Sequence, residues 1–228
     1  MNIDEIFPCI DENEKDNSKP FYLNDKQISC ISSNGKNYFL NQKEHDALIR
    51  LSNELSIRMS KIGDYDSGII DKNFGIMIEN ESITKLQITG YRLIEIPKTV
   101  ACFEKLNSLD VSYNDLKDLP DDFKSLASLN CLFLNYNKFR KMPKCVTHFK
   151  EIKYLFAGNN ELSCLPRSIG NLKQLQILDL SSNYLKKLPK SLEKLVMLEE
   201  FELRRNNFDS NSLSIIKKLR KEGVKVYL

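Results

Sequence analysis

Histidine and cysteine are the residue types most able to supply a nucleophile, a proton carrier or a metal ligand, and this chain has two histidines and six cysteines. His45 lies at the polar start of a segment with helical periodicity, and His148 is next to Phe149 further along the chain. We expect neither to have a serine or cysteine nucleophile beside it. The cysteines form no CxxC pair and have no histidine at metal-ligand spacing. The sequence therefore predicts no catalytic residues, no metal site and no cofactor.

Motifs and composition exclude further classes of function. The chain contains no GxxxxGKS/T, GxGxxG or HExxH motif, and we predict that it is not an enzyme. Its formal net charge of +3 is too small to imply a polyanion partner. It lacks the run of about 18 apolar residues that a membrane span requires, and its first residues are acidic and polar, unlike a signal peptide. We expect no membrane association, no nucleic-acid ligand and no small-molecule substrate.

The elements that would position any functional side chain are set by a fixed interval in the sequence. Five asparagines follow one another at steps of 23 residues, and five prolines and several apolar positions keep the same step. The asparagines and prolines are Asn114, Asn137, Asn160, Asn183, Asn206, Pro97, Pro120, Pro143, Pro166 and Pro189. A set of leucines at the same step is Leu86, Leu109, Leu132, Leu155 and Leu178.

Each part of this interval has a physical role. An LxL triplet alternates with period two and predicts a short strand whose leucines point to one side. Asparagine can close the strand because its side chain hydrogen-bonds neighbouring backbone that would otherwise be buried unpaired. Proline on the return side prevents the strand from continuing. One coil cannot bury its own apolar face, so coils must stack, and each buried large side chain contributes about 1.5–3 kcal/mol.

The pattern LxxLxLxxNxL, with LxxLPxxIxxL in its second half, resembles the leucine-rich-repeat family, in its 23-residue intracellular LxxLP subtype with Ras-group and plant-resistance-like repeats. The resemblance covers residues 83–211 as about five full repeats and one partial repeat. It implies an α/β solenoid, a right-handed horseshoe arc with a parallel sheet on its concave side. It also implies scaffold or adaptor roles, in some members connected with Ras-type small GTPases. Two departures fall at the ends, Tyr91 in place of the first asparagine and Asn211-Ser212 in place of the last Leu-Pro.

The cysteines also bear on the compartment. Extracellular proteins that resemble this one usually carry cysteine-rich flanking caps, and such caps are missing from this sequence. We therefore interpret the thiols as reduced and predict a cytoplasmic location. The six cysteines are Cys9, Cys30, Cys102, Cys131, Cys145 and Cys164.

The segments that flank the repeats predict caps. Residues 1–20 are predicted to be a disordered acidic tail, and residues 21–82 an N-terminal hairpin and helix cap. The hairpin turn is expected at Asn34-Gly35, and the helix is expected to begin after Asn41 with Glu44 three residues on. Its apolar stripe is Leu48, Leu51, Leu55 and Ile62. The alternative for this helix is a partner-binding surface.

Residues 212–228 predict a C-terminal helix and strand cap. Leu213, Ile216 and Leu219 form the expected helical stripe, Gly223 ends the helix, and VKVYL returns as a strand.

The candidate binding site is the set of side chains between and beside the strand leucines, which point away from the core. In the middle repeats these are aromatic and apolar, with one aspartate on either side, as in a protein-binding hot spot. The alternative is that the aromatic side chains are cross-strand packing pairs with no partner. The candidate residues are Asp110, Tyr113, Cys131, Phe133, Tyr136, Tyr154, Phe156, Ile177 and Asp179.

These observations predict a monomeric, non-enzymatic module that binds a protein partner on its concave sheet. The alternative is a subunit that brings a separate ubiquitin ligase or other enzyme to its substrate. A basic feature is interpreted as a solvated face, with an acidic protein partner as a further alternative. Its residues are Lys138, Arg140, Lys141, Lys144, Lys186, Lys187, Lys190, Lys217, Lys218 and Arg220.

Overall fold

The computed structural model of the chain describes residues 22–24, 27–31, 37–55 and 74–228. The predicted acidic tail, the predicted turn at Asn34-Gly35 and the predicted helical position Ile62 lie outside the described residues.

In the described ranges, two sheets and two α-helices contain most of the regular structure. A three-stranded sheet has the order β1-β2-β3, with antiparallel β2–β3 pairing as the predicted hairpin requires, plus an additional strand β1. Its strands are β1 (Tyr22–Asn24), β2 (Gln27–Ile31) and β3 (Asn37–Phe39). An eight-stranded sheet runs through the repeats in strict sequence order, from β4 at one edge to β11 at the other. Its strands are β4 (Phe74–Glu79), β5 (Ser82–Ile88), β6 (Ser108–Asp110), β7 (Cys131–Phe133), β8 (Tyr154–Phe156), β9 (Ile177–Asp179), β10 (Glu200–Glu202) and β11 (Lys225–Tyr227).

Helix α1 (Gln42–Glu54) begins where the sequence predicts. The side chain of Asn41 accepts a hydrogen bond from the Glu44 backbone N–H at 3.0 Å. The reciprocal half of a capping box is missing, because the Glu44 carboxylate accepts from the Ile83 N–H at 2.6 Å instead. Leu48 and Leu51 are fully buried in the main core. Helix α1 is therefore joined to strand β5 both by a buried hydrogen bond and by its apolar side.

Strands β5 to β11 are parallel, and β4 pairs antiparallel with β5. The β4–β5 turn is formed by Asn80 and Glu81, both with positive φ, as in the tight turns that favour hairpins. The central leucines of the strands lie in register, with Leu109 beside Leu132 and Leu132 beside Leu155. The predicted stacked parallel ladder is confirmed.

The repeated asparagines form a second ladder behind the strands. Asn137 Nδ2 donates to the Val111 carbonyl at 3.0 Å in the preceding coil and to the Leu134 carbonyl at 3.2 Å in its own coil. Its Oδ1 accepts from the Leu116 N–H at 3.0 Å. Asn160 repeats this pattern with partners one coil further on. The predicted role of asparagine is confirmed, and it extends to bonds between successive coils.

The return side of each coil is a short 3₁₀ helix that starts directly after the repeated proline. The five helices are Lys98–Cys102, Asp121–Ser125, Lys144–His148, Arg167–Asn171 and Lys190–Lys194. Each places an apolar side chain in the core, and Val100, Phe123 and Val146 are fully buried there. Strand leucines on one side and these residues on the other enclose one continuous core along the array.

The C-terminal segment folds as helix α2 (Ser210–Lys221) followed by β11, with Gly223 in the left-handed region at φ 96°. One detail of the predicted stripe is wrong, because Leu213 is about half exposed. Ser212 is buried in its place, and its Oγ accepts from the Leu188 N–H at 2.9 Å. Ile216 and Leu219 are buried as expected. The assignment of the two flanking segments as caps stays a prediction.

Candidate functional site

The candidate residues lie on one side of the large sheet. In each three-residue strand the central side chain enters the main core, so the first and third side chains point to the other side, which we call the concave face. Register aligns the third positions in one row, Asp110, Phe133, Phe156 and Asp179. The Phe133 and Phe156 rings are stacked, with centroids 4.7 Å apart and planes within 9°. The prediction that these two rings are direct neighbours is confirmed.

The two phenylalanines of this row are much less exposed to solvent than the sequence predicts. Phe133 and Phe156 are only 3% and 5% exposed, and Cys131 and Ile177 are also buried. These four residues form a small apolar cluster of their own, separate from the main core, with Tyr154 half-buried against it. We call this group the concave cluster. A patch that was expected to be open is therefore largely shielded from solvent.

Tyr113 and Tyr136 are the exposed aromatic residues of the candidate site, at 58% and 47% exposure. Their rings are stacked, with centroids 4.4 Å apart and planes within 10°. Both residues occupy the left-handed region, with φ of 57° and 54°, where a bulky side chain is rare. Sequence reasoning did not predict this conformation. The signal for it was Gly90, which holds the equivalent place in the first repeat at φ 72°.

Asp110 and Asp179 flank the two phenylalanines as expected from the sequence. Each carboxylate accepts a hydrogen bond from backbone two residues on, Asp110 from the Ser112 N–H at 2.9 Å and Asp179 from the Ser181 N–H at 2.8 Å. Burial nevertheless raises the pKa of both carboxyl groups, because desolvation disfavours the charged form more than these bonds favour it. The concave cluster therefore has a partly desolvated acid on either side.

These two carboxyl groups give a pH-dependent prediction. Since their pKa values are raised in the folded state, their ionisation at neutral pH opposes folding, and stability from these groups is lost as the pH rises through the folded pKa. Asp110→Asn with Asp179→Asn keeps the hydrogen-bond acceptors and removes the charges. We expect the variant to unfold at higher urea concentration than the parent at pH 7, with the difference vanishing below about pH 3.5.

Exposed Asp122 provides the matched control for that experiment. Asp122→Asn removes a carboxylate that lies 3.6 Å from Lys98, so it should give no gain in stability at pH 7. A loss of stability at pH 7 in the double variant would show that the two partly desolvated charges stabilise the fold.

Among the side chains that the structure describes, the residues with catalytic potential do not converge. His148 is exposed on the return side, with Nδ1 3.1 Å from the Lys144 carbonyl, and His45 is buried in α1. Cys102, Cys145 and Cys164 are free thiols, and burial raises the pKa of Cys145 to about 12. Within the described part of the chain, no three His, Cys, Asp or Glu side chains are grouped closely enough to hold a metal ion.

Several basic residues of the repeats are neutralised by acids on adjacent coils or on the neighbouring helix. Lys138 lies 2.7 Å from Asp115, and Arg140 Nε donates to Glu161 at 2.9 Å. Lys218 of α2 lies 2.6 Å from Glu193. These ion pairs are consistent with the interpretation of the basic residues as a solvated face. No helix in the described residues is both long and apolar enough to cross a bilayer.

Comparison with known proteins agrees with this geometry. Leucine-rich-repeat family models match residues 104–162 and residues 174–195. A leucine-rich-repeat protein of Leptospira interrogans is 34% identical with a TM-score of 0.59, and the match covers 63% of this chain and 36% of that one. A search of curated proteins found no match.

A more distant structure shows the fold alone. It is the leucine-rich-repeat ectodomain of the plant membrane receptor kinase GASSHO1/SCHENGEN3 from Arabidopsis thaliana, in complex with Casparian strip integrity factor 2. It is 23% identical with a TM-score of 0.50, over 61% of this chain and 17% of that one. The chain thus spans well under half the length of either protein. The parallel ladder and the asparagine ladder make residues 83–228 an α/β solenoid similar to the solved leucine-rich-repeat structures, and residues 104–162 and 174–195 match leucine-rich-repeat models.

Proposed function

We propose that this chain is a non-enzymatic protein-interaction module, a scaffold or adaptor, whose partner binds the concave face. The observation that carries the proposal is the stacked, exposed pair Tyr113 and Tyr136, beside the concave cluster. Tyrosine is enriched in the energetic centres of protein interfaces because it provides a rigid apolar ring with a polar tip. Leucine-rich-repeat proteins in general bind other proteins, which supports the same interpretation.

The backbone at these tyrosines gives independent support. A bulky residue held in the left-handed region costs of order 1–3 kcal/mol. The equivalent residue in later repeats is Asn159, Ser182 or Arg205, of which the asparagine and the serine are smaller and fit this conformation more readily. The chain therefore places two large aromatic rings where a small polar residue would be more stable. A contribution to partner binding would explain why tyrosines occupy these two positions.

The test is a paired substitution at the exposed rings. Tyr113→Ser with Tyr136→Ser is suitable because Ser182 already adopts φ 52° at the equivalent position, so serine fits the backbone. We expect affinity capture with cross-linking to lose the proteins that the parent chain cross-links through its concave face. Truncation of hot-spot residues typically costs about 2 kcal/mol or more in binding, which is roughly a 30-fold loss of affinity.

Tyr184→Ser is the matched control, because Tyr184 is exposed but lies outside the candidate site. It should leave the captured proteins unchanged. If the double variant retained every partner, or if Tyr184→Ser lost the same ones, the concave face would not be the binding surface.

We further propose that the repeats belong to the 23-residue intracellular LxxLP subtype, that the protein is cytoplasmic, and that its partner acts in small-GTPase-type signalling. The support is the repeated Leu-Pro step, as at Leu119-Pro120 and Leu165-Pro166. Purified Ras-type GTPases, each loaded with GDP or with a GTP analogue, provide the direct assay. Binding that differs between the two nucleotide states and is lost in the tyrosine double variant would support this role. If neither the GDP-loaded nor the GTP-analogue-loaded GTPase bound above background, the proposed signalling role would be contradicted.

A further inference from the structure

A groove separates the return sides of two neighbouring coils in the middle of the array. It lies between the 3₁₀ helices Lys144–His148 and Arg167–Asn171 and has a volume of about 820 Å³. Ligand sites in proteins typically have volumes of about 300–1,000 Å³. The groove is only partly enclosed, so an extended chain can lie along it. Because the strands and the return helices are on opposite sides of the core, the groove is remote from the concave face.

A glycine in the second of these helices explains where the groove is. Gly170 falls at the position where three other coils have Lys124, Thr147 and Glu193. A Cβ atom at Gly170 would lie 2.4 Å from the Ser191 carbonyl oxygen, so the absence of a side chain allows this close approach. The helix that contains Gly170 accordingly packs more closely against the return helix that follows it than against the one before. The groove is the space on the less closely packed side.

The groove combines apolar surface with positive charge. Met142, which is buried, and Pro166, which is half-buried, supply apolar surface. His148 also lines the groove, and its Nδ1 is bonded to a backbone carbonyl of its own helix. Three exposed lysines and one exposed glutamate complete the charged lining, so positive charge is in excess. They are Lys144, Lys150, Lys173 and Glu151.

These three lysines are not neutralised by acids of the repeats. Within the part of the chain that the structure describes, none of them lies within ion-pair distance of a carboxylate, whereas Lys138, Arg140 and Lys218 each do. Lys173 Nζ donates to the Lys194 carbonyl at 3.0 Å, and an ammonium group has two further donors. The groove therefore offers lysine donors whose charge can pair with a ligand.

One pair of lysines is specific to the two coils that form the groove. Lys150 and Lys173 are 23 residues apart and hold equivalent positions in successive coils. In the coil before and the coil after, the equivalent residues are Ala127 and Val196. Two lysines are thus neighbours at this position where the groove lies, and at neither adjoining junction between coils.

We propose that this groove binds an acidic segment of a partner protein, with an apolar side chain of the segment between the two helices and its carboxylates beside the three lysines. Charge complementarity selects this occupant, because it gives specificity and speeds association. The lysines are exposed and spread over two coils, which fits an extended chain better than a single small anion. Since the groove and the concave face are on opposite sides of the core, both can be occupied at once.

The test begins with a random peptide library displayed on phage and selected on the purified full-length chain. Selection should enrich peptides that carry aspartate or glutamate beside a large apolar residue. One enriched peptide, labelled with fluorescein, is then titrated with the parent and with each variant, and fluorescence polarisation gives the dissociation constants.

Two variants should change the affinity for this peptide in opposite directions. Lys144→Gln with Lys150→Gln and Lys173→Gln removes the positive charge, and binding should weaken by roughly tenfold, since each exposed ion pair contributes only modestly. Glu151→Gln removes the one carboxylate that repels the ligand, and binding should tighten by about twofold to fivefold. All four side chains are exposed, so the fold should be unaffected, which urea unfolding would verify.

The matched control makes the same change of net charge outside the groove. Lys186→Gln with Lys187→Gln and Lys217→Gln also removes three exposed lysines and should bind the peptide like the parent. The variant Tyr113→Ser with Tyr136→Ser should bind it unchanged as well. Loss of the concave-face function and loss of groove binding are therefore measured separately.

Three results would overturn the proposal. One is a selection that enriches neutral or basic peptides, or no peptides at all. Another is an acidic peptide that binds the groove variant as tightly as the parent, or that is lost equally in the control, because its site would then lie elsewhere. The third is single-stranded RNA of random sequence that displaces the peptide, binds more tightly than it and loses affinity in the groove variant, which would make the groove a polyanion site instead.

Discussion

Replacing Asn137 with alanine should lower the free energy of unfolding by roughly 2–4 kcal/mol, since one buried N–H left unpaired costs about 1–3 kcal/mol and each further lost hydrogen bond about 0.5–1.5 kcal/mol. The substitution removes the acceptor of the Leu116 N–H and one of the two amide donors to each of the Val111 and Leu134 carbonyls, which keep their bonds from Asn114 and Asn160. Asn137 is itself buried, so water cannot replace these bonds without opening the coil. Urea unfolding followed by circular dichroism would measure the loss.

Asn206 is the matched control because it has the same bonding pattern in the last coil of the series. It donates to the Leu180 and Leu203 carbonyls and accepts from the Leu185 N–H, but it is only half-buried. Water can reach its partners more readily, so Asn206→Ala should cost clearly less than Asn137→Ala. Equal losses at the two sites would show that burial does not set the strength of the asparagine ladder.

Phe133→Ala should destabilise the chain by about 3–5 kcal/mol, the range for removing a fully buried aromatic ring. The reason is the burial of the ring in the concave cluster and its stacking on Phe156. Tyr136→Ser is the comparison on the neighbouring exposed position and should stay within about 1 kcal/mol of the parent. Thermal and urea unfolding of both variants provide the measurement.

The outcome at Phe133 would discriminate between two descriptions of the concave face. A large loss of unfolding free energy would mean that the ring is buried in the concave cluster, as it is in the structure. A loss no larger than that of Tyr136→Ser would mean that the ring is open to solvent in solution, as first expected from the sequence, and directly available to a partner.

The backbone architecture was predictable because the same 23-residue interval sets the strands, the turns that close them and the return segments. The leucine triplets predict strands, the asparagines predict closing turns, and the prolines mark where the return side begins. Since each coil must bury its apolar side against the next, a parallel ladder is the arrangement that satisfies all coils together. The rows of the candidate site follow from the same register, and the pairing of Phe133 with Phe156 could be predicted for that reason.

Exposure could not be predicted, because periodicity tells which side of a sheet a residue is on and not what lies above it. Phe133 and Tyr136 belong to the same surface by sequence, yet one is buried and the other is half exposed. Similarly, a capping-box pattern at Asn41 and Glu44 could not show that a strand N–H at Ile83 competes for the glutamate. Leu213 was misplaced because Ser212 finds buried backbone partners that a hydropathy pattern does not reveal.

The bonds from each asparagine to the coil before it have a consequence for how such a molecule can change in evolution. Asn137, Asn160 and Asn183 each reach the carbonyl 26 residues earlier, one coil back, so neighbouring coils are joined by identical contacts. Duplicating or deleting a block of 23 residues would reproduce those contacts at the new junction. An insertion of one residue inside a coil would break them locally. Recombination can therefore adjust the number of coils freely while selection works on the side chains that face outward.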